Sequence, residues 1–551
     1  MNFCNNCAAD LRILVGARFC YNCGNKLATS TFPSNARFVS EQRNSERVNP
    51  RLNKNKEFDN GYNSYGIIFT HISSLANCLK CDEEDVTNVI CDYISNIAKF
   101  GHQYLLIDAS NNPYQSLYSD DHWTKFVDLL KIAVDNFSIK PDNLFIIGGH
   151  DVIPMAIIEN EPRCYETDLD IETDMPYSYL LTDNFENDLW YGRIFSKKIE
   201  MFVGRYPVAS DSEINNLEHY LSRSLKTIKS GLAISSCYGM SAYSWASASQ
   251  AIINEIRITK KLHTSPEIDI NSVDEVFNQY AQLYYFNLHG SDAPGSPEFF
   301  GDRNPAISPE HLATAEDDNF LMTEACYGAK FIGYNENESM LLKSINNKTV
   351  AYVGSSKVAF GSSTEMISCA DVVAKVYIEN ICLGESCGRA LAEARVEVFN
   401  SCLDDHFDYG TTSAAEFNLF GDPIISIYGN SKSSKIPNRL FNKKIHSKVF
   451  SKTRPVKKEI KLNTQQKGIL NDVRNLVNQE ILKINVIVNK NLYLQFSIEP
   501  RQPTNVFEIN GKFGEKTYNY IYSQDFNAGL KKCFSVFTDK TGKIKSVLES
   551  K

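Results

Sequence analysis

Apolar positions recur along most of this chain in two distinct periods. Val86, Val89, Ile90, Tyr93, Ile94 and Ile97 fall on one face of a helix, and so do Trp123, Phe126, Val127, Leu130 and Val134. Around them stand short apolar runs, Tyr104–Asp108 and Leu144–Gly148, with the length and bulk of buried strands. The alternation continues, predicting strands at Phe202–Arg205, Leu232–Ser236, Tyr284–Leu288, Phe320–Glu324, Val350–Gly354 and Ile424–Tyr428. Helices are predicted at Ile214–Leu225 and Ala390–Val398, and a short one capped by Ser308-Pro309. Apolar strands separated by amphipathic helices predict a parallel sheet covered on both faces, an α/β unit over residues 62–429.

The flanks differ in character. Residues 28–61 are rich in Ser, Asn, Arg and Glu and too poor in apolar residues to fold, so they read as a linker. Residues 430–462 hold eleven Lys and Arg and a single acid, Glu459, and read as a basic linker. Such a stretch could also dock on an acidic surface or be nicked by a protease. From 463 to 551 a helix around Ile469–Val477 precedes two hairpins, Ile484–Val488 with Leu492–Ile498 and Cys533–Thr538 with Ile544–Leu548. This predicts a separate, small α+β domain with no chemical motif.

Composition narrows the function. The chain has 551 residues, 43% hydrophobic and 22% charged, as expected for a globular protein of several domains. Its net charge of −9 argues against a general nucleic-acid binder. No run of 18 apolar residues predicts a membrane span, and no secretory leader is legible at the N-terminus. The expectation is a cytoplasmic protein.

Four of the 15 cysteines form a pattern, Cys4-x2-Cys7 and Cys20-x2-Cys23, separated by twelve residues. Two such turns supply four soft thiolates to a tetrahedral ion, which suits one structural Zn²⁺ with no open position. Gly24 lets the chain turn beneath the metal. The run Phe19–Leu27 looks like the short zinc ribbons that begin many multidomain bacterial proteins. Cys78 and Cys81 repeat the spacing without a second pair and read as core thiols.

Two reactive groups stand where predicted strands end: His289 in Asn287-Leu288-His289-Gly290-Ser291 and Cys326 in Thr323-Glu324-Ala325-Cys326. Open α/β sheets place their sites at such carboxyl ends. A thiolate and an imidazole there can carry out acyl transfer. Gly290 would let a backbone N–H approach the oxyanion, with the N–H of Cys326 as the second donor. Taken alone, the two residues fit a core thiol and a surface histidine equally well.

At these residues the chain resembles the gingipain family of clan CD cysteine peptidases, relatives of caspases. Five blocks match in order: Phe202-Val203-Gly204-Arg205, Asn287–Ser291, Thr323–Cys326, Lys348–Ser355 and Phe417-Asn418-Leu419-Phe420-Gly421-Asp422-Pro423. The resemblance spans about Tyr62 to Gly429. It implies a caspase/gingipain-like parallel-sheet catalytic unit of two subdomains, 62–205 and 206–429, with the ribbon (1–27) before it. It implies a cysteine endopeptidase in which Cys326 attacks and His289 protonates the leaving amine, with no obligatory third residue. By the same resemblance His150 is structural and Ser355 lies on a strand walling the substrate pocket. Asp174 and Asp422 read as turn residues.

Arginine- and lysine-specific members carry an acid after the strand matching Leu232–Ser236. Here that loop, Cys237 to Ser249, holds no acid. Tyr243 and Trp245 could wall a neutral pocket or serve equally as helix-start core residues, and Asp292 could supply a charge from the opposite wall. The expectation is an enzyme that is not simply Arg- or Lys-specific, with a preference for an uncharged residue before the cleaved bond if Asp292 supplies no charge. Expected partners are protein or peptide substrates, and a regulatory protein bound by the ribbon or the C-terminal domain. A non-catalytic scaffold would need neither His289 nor Cys326. A nucleic-acid reader is disfavoured, because the ribbon carries only Arg12, Arg18 and Lys26 against Asp10. Freshly purified protein is expected to contain one zinc ion per chain by metal analysis. Chelation should unfold residues 1–27, because the metal supplies the folding free energy of so small a unit, and leave the catalytic unit's stability unchanged.

Overall fold

Ten strands of the α/β unit line up in one sheet, and their directions decide where chemistry can collect. The computed structural model describes residues 58–459 and 505–551, apart from 60, 112–122, 162–168, 210, 257, 294, 303, 363–366, 403, 430–455, 511–514 and 526–530. The four ribbon cysteines and the helix and hairpin expected within 469–498 lie outside the described residues.

The chain first forms β1 (Ser64–Thr70), β2 (His102–Asp108) and β3 (Asn143–Ile147). A short antiparallel pair follows, β4 (Ala156–Glu159) and β5 (Asp170–Thr173), and then β6 (Phe202–Tyr206). Next come β7 (Ser236–Ala242), β8 (Thr259–Ser265) and β9 (Leu283–Asn287), the pair β10 (Phe299–Phe300) and β11 (Pro305–Ile307), and β12 (Asn319–Thr323). After β13 (Thr349–Ser355) and β14 (Phe360–Ser362), β15 (Phe417–Gly421) returns to the large sheet. The order is β2-β1-β3-β6-β15-β13-β12-β9-β7-β8. Five strands from β2 to β15 are mutually parallel, and so are the five from β13 to β8. The two blocks meet antiparallel at β13 and β15. Their carboxyl ends therefore point to opposite edges of the sheet.

The expected helices form, at Glu83–Ala98, Trp123–Asp135, Ile214–Ser230, Pro309–Ala313 and Cys387–Ser401. Two expected strands are displaced. The run Leu232–Ser236 is a connection, tied by the Leu232 N–H to the Ile427 carbonyl. The strand begins at Ser236 because its small residues fit under a helix: a side chain on Gly239 would lie 2.4 Å from Ile253 Cδ1. Ile424–Tyr428 is a turn, since Pro423 lacks an N–H and Asp422 Oδ1 accepts from the Ile424 N–H at 3.1 Å. The sheet strand lies upstream, at β15.

Buried charge holds the first block together. Arg205 on β6 is fully buried and makes a two-pronged pair with Asp174, at 2.8 and 2.6 Å. Its remaining nitrogen donates to the carbonyls of Gly148 and Ile153 at 2.8 and 2.7 Å. Asp174, expected in a plain turn, is thus the anchor that holds the Gly148–Ile153 loop. His150 in that loop accepts from the Met155 N–H at 3.2 Å, a structural role. Asp422 does more than cap its turn: it accepts from Tyr93 Oη at 2.6 Å and Tyr104 Oη at 2.7 Å, and its own N–H donates to Tyr220 Oη at 2.9 Å. Cys78 and Cys81 are half-buried against the core.

The C-terminal segment departs most from expectation. Val456–Glu459, inside the stretch read as a basic linker, is a strand, β16. It is followed by β17 (Asn505–Asn510), β18 (Lys516–Asp525), β19 (Lys531–Asp539) and β20 (Ile544–Ser550). The hairpin expected at 533–548 is present as β19 and β20. The sheet they build is not a separate domain, because its sixth strand is β14 of the catalytic unit, in the order β14-β20-β19-β18-β17-β16. Ile509, Ile521, Cys533, Phe537 and Leu548 share one apolar cluster with Val358, Phe360, Cys369, Tyr409 and Cys326. Burying that face removes the independence a linker would give.

Burial raises the Asp422 carboxyl to about 6. The folded chain therefore keeps that proton to higher pH than the unfolded chain. The group's contribution is full below the ordinary carboxylate pKa and falls as pH rises towards 6. Tyr104→Phe removes one donor from this carboxylate and is expected to cost about 1.5–3 kcal/mol, read from urea midpoints at pH 7.

Candidate active site

The carboxyl edge of the second block gathers residues from four neighbouring strands. β9 and β12 are adjacent and parallel, with Phe286 opposite Thr323, and the Glu324 N–H donates to the Phe286 carbonyl at 2.8 Å. Beyond these strands the chain carries His289 and Cys326, which are 7% and 4% exposed. The two loops touch at Gly290, where a side chain would meet the Cys326 carbonyl oxygen at 1.7 Å. Only glycine allows that approach.

Each loop is held rigidly. His289 exchanges backbone hydrogen bonds with Phe300 at 2.8 Å in both directions. Its ring lies 4.3 Å from that of Trp245, centroid to centroid. Trp245 is buried at the end of a short turn after β7, pinned by Ser244, whose N–H and hydroxyl donate to Asp302 at 3.2 and 2.6 Å. After Cys326 the chain turns sharply: Tyr327 takes a left-handed φ of 53°, and its N–H donates to the Lys357 carbonyl at 2.8 Å. Such a conformation costs a non-glycine residue about 1–2 kcal/mol and persists because the contacts around it leave no alternative. The Ala329 N–H bonds to the Ser355 carbonyl at 2.8 Å, and Tyr352 Oη donates to the Gly328 carbonyl. Ser355 is buried and internally satisfied: its hydroxyl donates to the Lys357 carbonyl at 2.9 Å. It shapes the turn after β13.

The polar groups nearest this centre were only partly expected. Asp292 is half-buried, and its backbone carbonyl accepts from Lys330 Nζ at 3.1 Å. Tyr243 is 41% exposed. The acids come instead from Glu324, two residues before Cys326, and from Asp371, at the start of the helix Ala370–Leu383. Both are fully buried, and Asn287 at the end of β9 joins them. Tyr285 Oη donates to Glu324 Oε1 at 2.6 Å, and the Ser362 and Ser368 amides donate to Asp371 Oδ2 at 3.0 and 3.1 Å. Ser249 Oγ holds the Asn287 amide at 2.9 Å. The negative groups here come from the end of β12 and the start of a later helix, not from the loop after β7.

These groups converge on Lys551. Its Nζ donates to Glu324 Oε2 at 2.6 Å, to Asn287 Oδ1 at 2.9 Å and to Asp371 Oδ1. The ammonium also lies 5.0 Å from the centre of the Trp245 ring. Burial works against this cation, but Asp371 and Glu324 outweigh it and its pKa is raised. Burial pushes the Glu324 carboxyl up, and Lys551 pulls it back. The Lys551 carbonyl oxygen accepts from the Cys326 N–H at 3.0 Å. A groove lined by Ser291, Phe299, Tyr327, Lys330 and Tyr334 reaches Cys326 and shares none of the Lys551 Nζ partners. Among the described residues no cluster of three or more His, Cys, Asp or Glu is arranged to hold a metal ion.

No curated protein sequence matches the chain. Among solved structures, the Arg-specific cysteine proteinase gingipain R is similar at 12% identity and a TM-score of 0.48, over 90% of this chain and 98% of that one. The complex of the RgpB pro- and mature domains from Porphyromonas gingivalis is similar at 11% identity and a TM-score of 0.47, over 88% and 99%. The family model of Peptidase family C25 matches residues 85–428, more than half of the sequence, with His289 and Cys326 inside the match. The chain therefore belongs to peptidase family C25 and is a cysteine-type endopeptidase.

Proposed function

We propose that Cys326 and His289 are the working dyad of this endopeptidase. The Cys326 thiolate attacks the scissile carbonyl carbon, and the carbonyl electron pair moves onto oxygen. As that oxyanion collapses, the C–N bond breaks and His289 delivers a proton to the departing amine. A thioester to Cys326 remains. Water attacks it, His289 takes the water proton, and the Cys326 thiolate leaves as the C–S bond breaks and the carboxylic acid product forms. The observation that carries this reading is the hydrogen bond from the Cys326 N–H to the backbone oxygen of Lys551, at 3.0 Å. A donor so placed stabilises the oxyanion that grows there, and Gly290, packed on Cys326, supports the same corner. The groove beside Tyr327 and Lys330 would take the residues after the cleaved bond.

Cys237, Cys369, Cys382 and Cys387 are free thiols, which fits a reducing compartment, and on that ground we place the activity inside the cell. Cys326→Ala is expected to abolish peptide turnover, measured by mass spectrometry on a panel of peptides varied before the cleaved bond. His289→Ala should lower it by about 10²–10⁴-fold. Turnover by Cys326→Ala equal to the unmodified chain would overturn the assignment.

A further inference from the structure

Strand β20 crosses the cleft in the manner of a bound peptide. Phe360, Gly361 and Ser362 of β14 pair antiparallel with Ser550, Glu549 and Leu548. The Lys551 N–H continues the ladder to the Ala359 carbonyl at 2.9 Å, and the Lys551 carbonyl oxygen meets the Cys326 N–H at 3.0 Å. Strand addition to a cleft edge fixes a peptide through its backbone and leaves selection to side-chain pockets. Here the pocket is filled by lysine. An ammonium has three N–H donors, and Glu324, Asn287 and Asp371 accept all three. Acceptors converging on a single nitrogen suit this compact charge better than a planar guanidinium fork. Gly361 leaves room for the stem, since a side chain there would lie 1.9 Å from Lys551 Cε.

We propose that residues 544–551 are an intramolecular occupant of the active-site cleft, seated in substrate orientation with Lys551 in the position of the residue before the cleaved bond. The pocket of Glu324, Asp371 and Asn287 then selects lysine at that position in outside substrates, which compete with β20 for it. This rests on the assignment of Cys326 as nucleophile. A tethered strand acts at an effective concentration on the order of millimolar, so it excludes peptides supplied at micromolar levels.

The test uses the full chain. Lys551→Met keeps the stem and strand but removes the charge. It is expected to raise kcat/KM at least about tenfold on peptides with lysine before the cleaved bond, and to speed alkylation of Cys326 by chloroacetamide. A synthetic peptide of residues 544–551 should inhibit the Lys551→Met enzyme competitively. That enzyme should prefer lysine to norleucine by about 10²-fold or more, because a site built around buried acceptors rejects the analogue that leaves them unpaired. Glu324→Gln in the same background should erode the preference through KM. Gly361→Ala, which fills the stem's space from the other side, should also speed alkylation while abolishing cleavage after lysine. Unchanged kcat/KM and unchanged alkylation in both Lys551→Met and Gly361→Ala would overturn the occupancy. Equal turnover of lysine and norleucine peptides would overturn the pocket. Faster alkylation without any turnover would uphold the occupancy and count instead against Cys326 as nucleophile.

Discussion

The reversal between β13 and β15 is the constraint on which the rest of the structure depends. Each block is parallel within itself, so each has one edge where its strands end. Because the blocks run in opposite senses, these edges face away from each other. The chemistry collects on the second block, where β7, β9, β12 and β13 all end, and the first block serves as its support. The reversal needs close backbone contact: a side chain on Gly421 would strike the Val350 carbonyl of β13 at 2.5 Å. It is locked by Tyr220, whose hydroxyl accepts from the N–H of Asp422, just after β15, and donates to the Val350 carbonyl of β13 at 3.0 Å. Tyr93 and Tyr104 bind the Asp422 carboxylate from the first block, and Tyr220 binds its amide from the helix between the two. A mostly parallel sheet thus acquires its one antiparallel joint at a buried acid with tyrosines around it.

Much of this architecture is legible in the sequence, because it is carried by local pattern. The helix at Glu83–Ala98 buries Val86, Ile90, Tyr93 and Ile97, the face its spacing marks out. His289 and Cys326 stand beyond adjacent parallel strands, as their places after β9 and β12 require. Errors arose where tertiary contact overrode apolar content. Leu232 and Ile234 have the bulk of strand residues, yet the smaller sequence at Ser236–Ala242 takes the strand. The pocket acids were harder to see. Glu324 did carry a signal, being a charge two residues from the proposed nucleophile and next to an apolar run. Asp371 had none, because only the fold carries that helix start to Lys551, 180 residues further along the chain.

The C-terminal sheet departs from its local pattern for the same reason. Its hairpin is local and legible, but its attachment is not. His406 pairs with Ser546 Oγ at 2.7 Å, Tyr409 with Ser535 Oγ at 2.8 Å, and Lys545 with Asp405 at 2.9 Å. These contacts cross more than a hundred residues of sequence and turn an apparent appendage into a wall of the catalytic unit. The apolar cluster that includes Cys326 lies between the two.

Strand β14 has a further bearing on the behaviour of the whole molecule. Among the described residues its only ladder partner is β20, so its backbone donors and acceptors on that side are satisfied by a strand of the same chain. A sheet edge stripped of its neighbour is a template for any extended peptide, including another copy of the same protein. Release of β20 would bare two such edges at once, one on β14 and one on β20 itself. Strand exchange between molecules then becomes possible at the place where substrates enter, so opening the cleft and exposing a self-association surface are the same physical event.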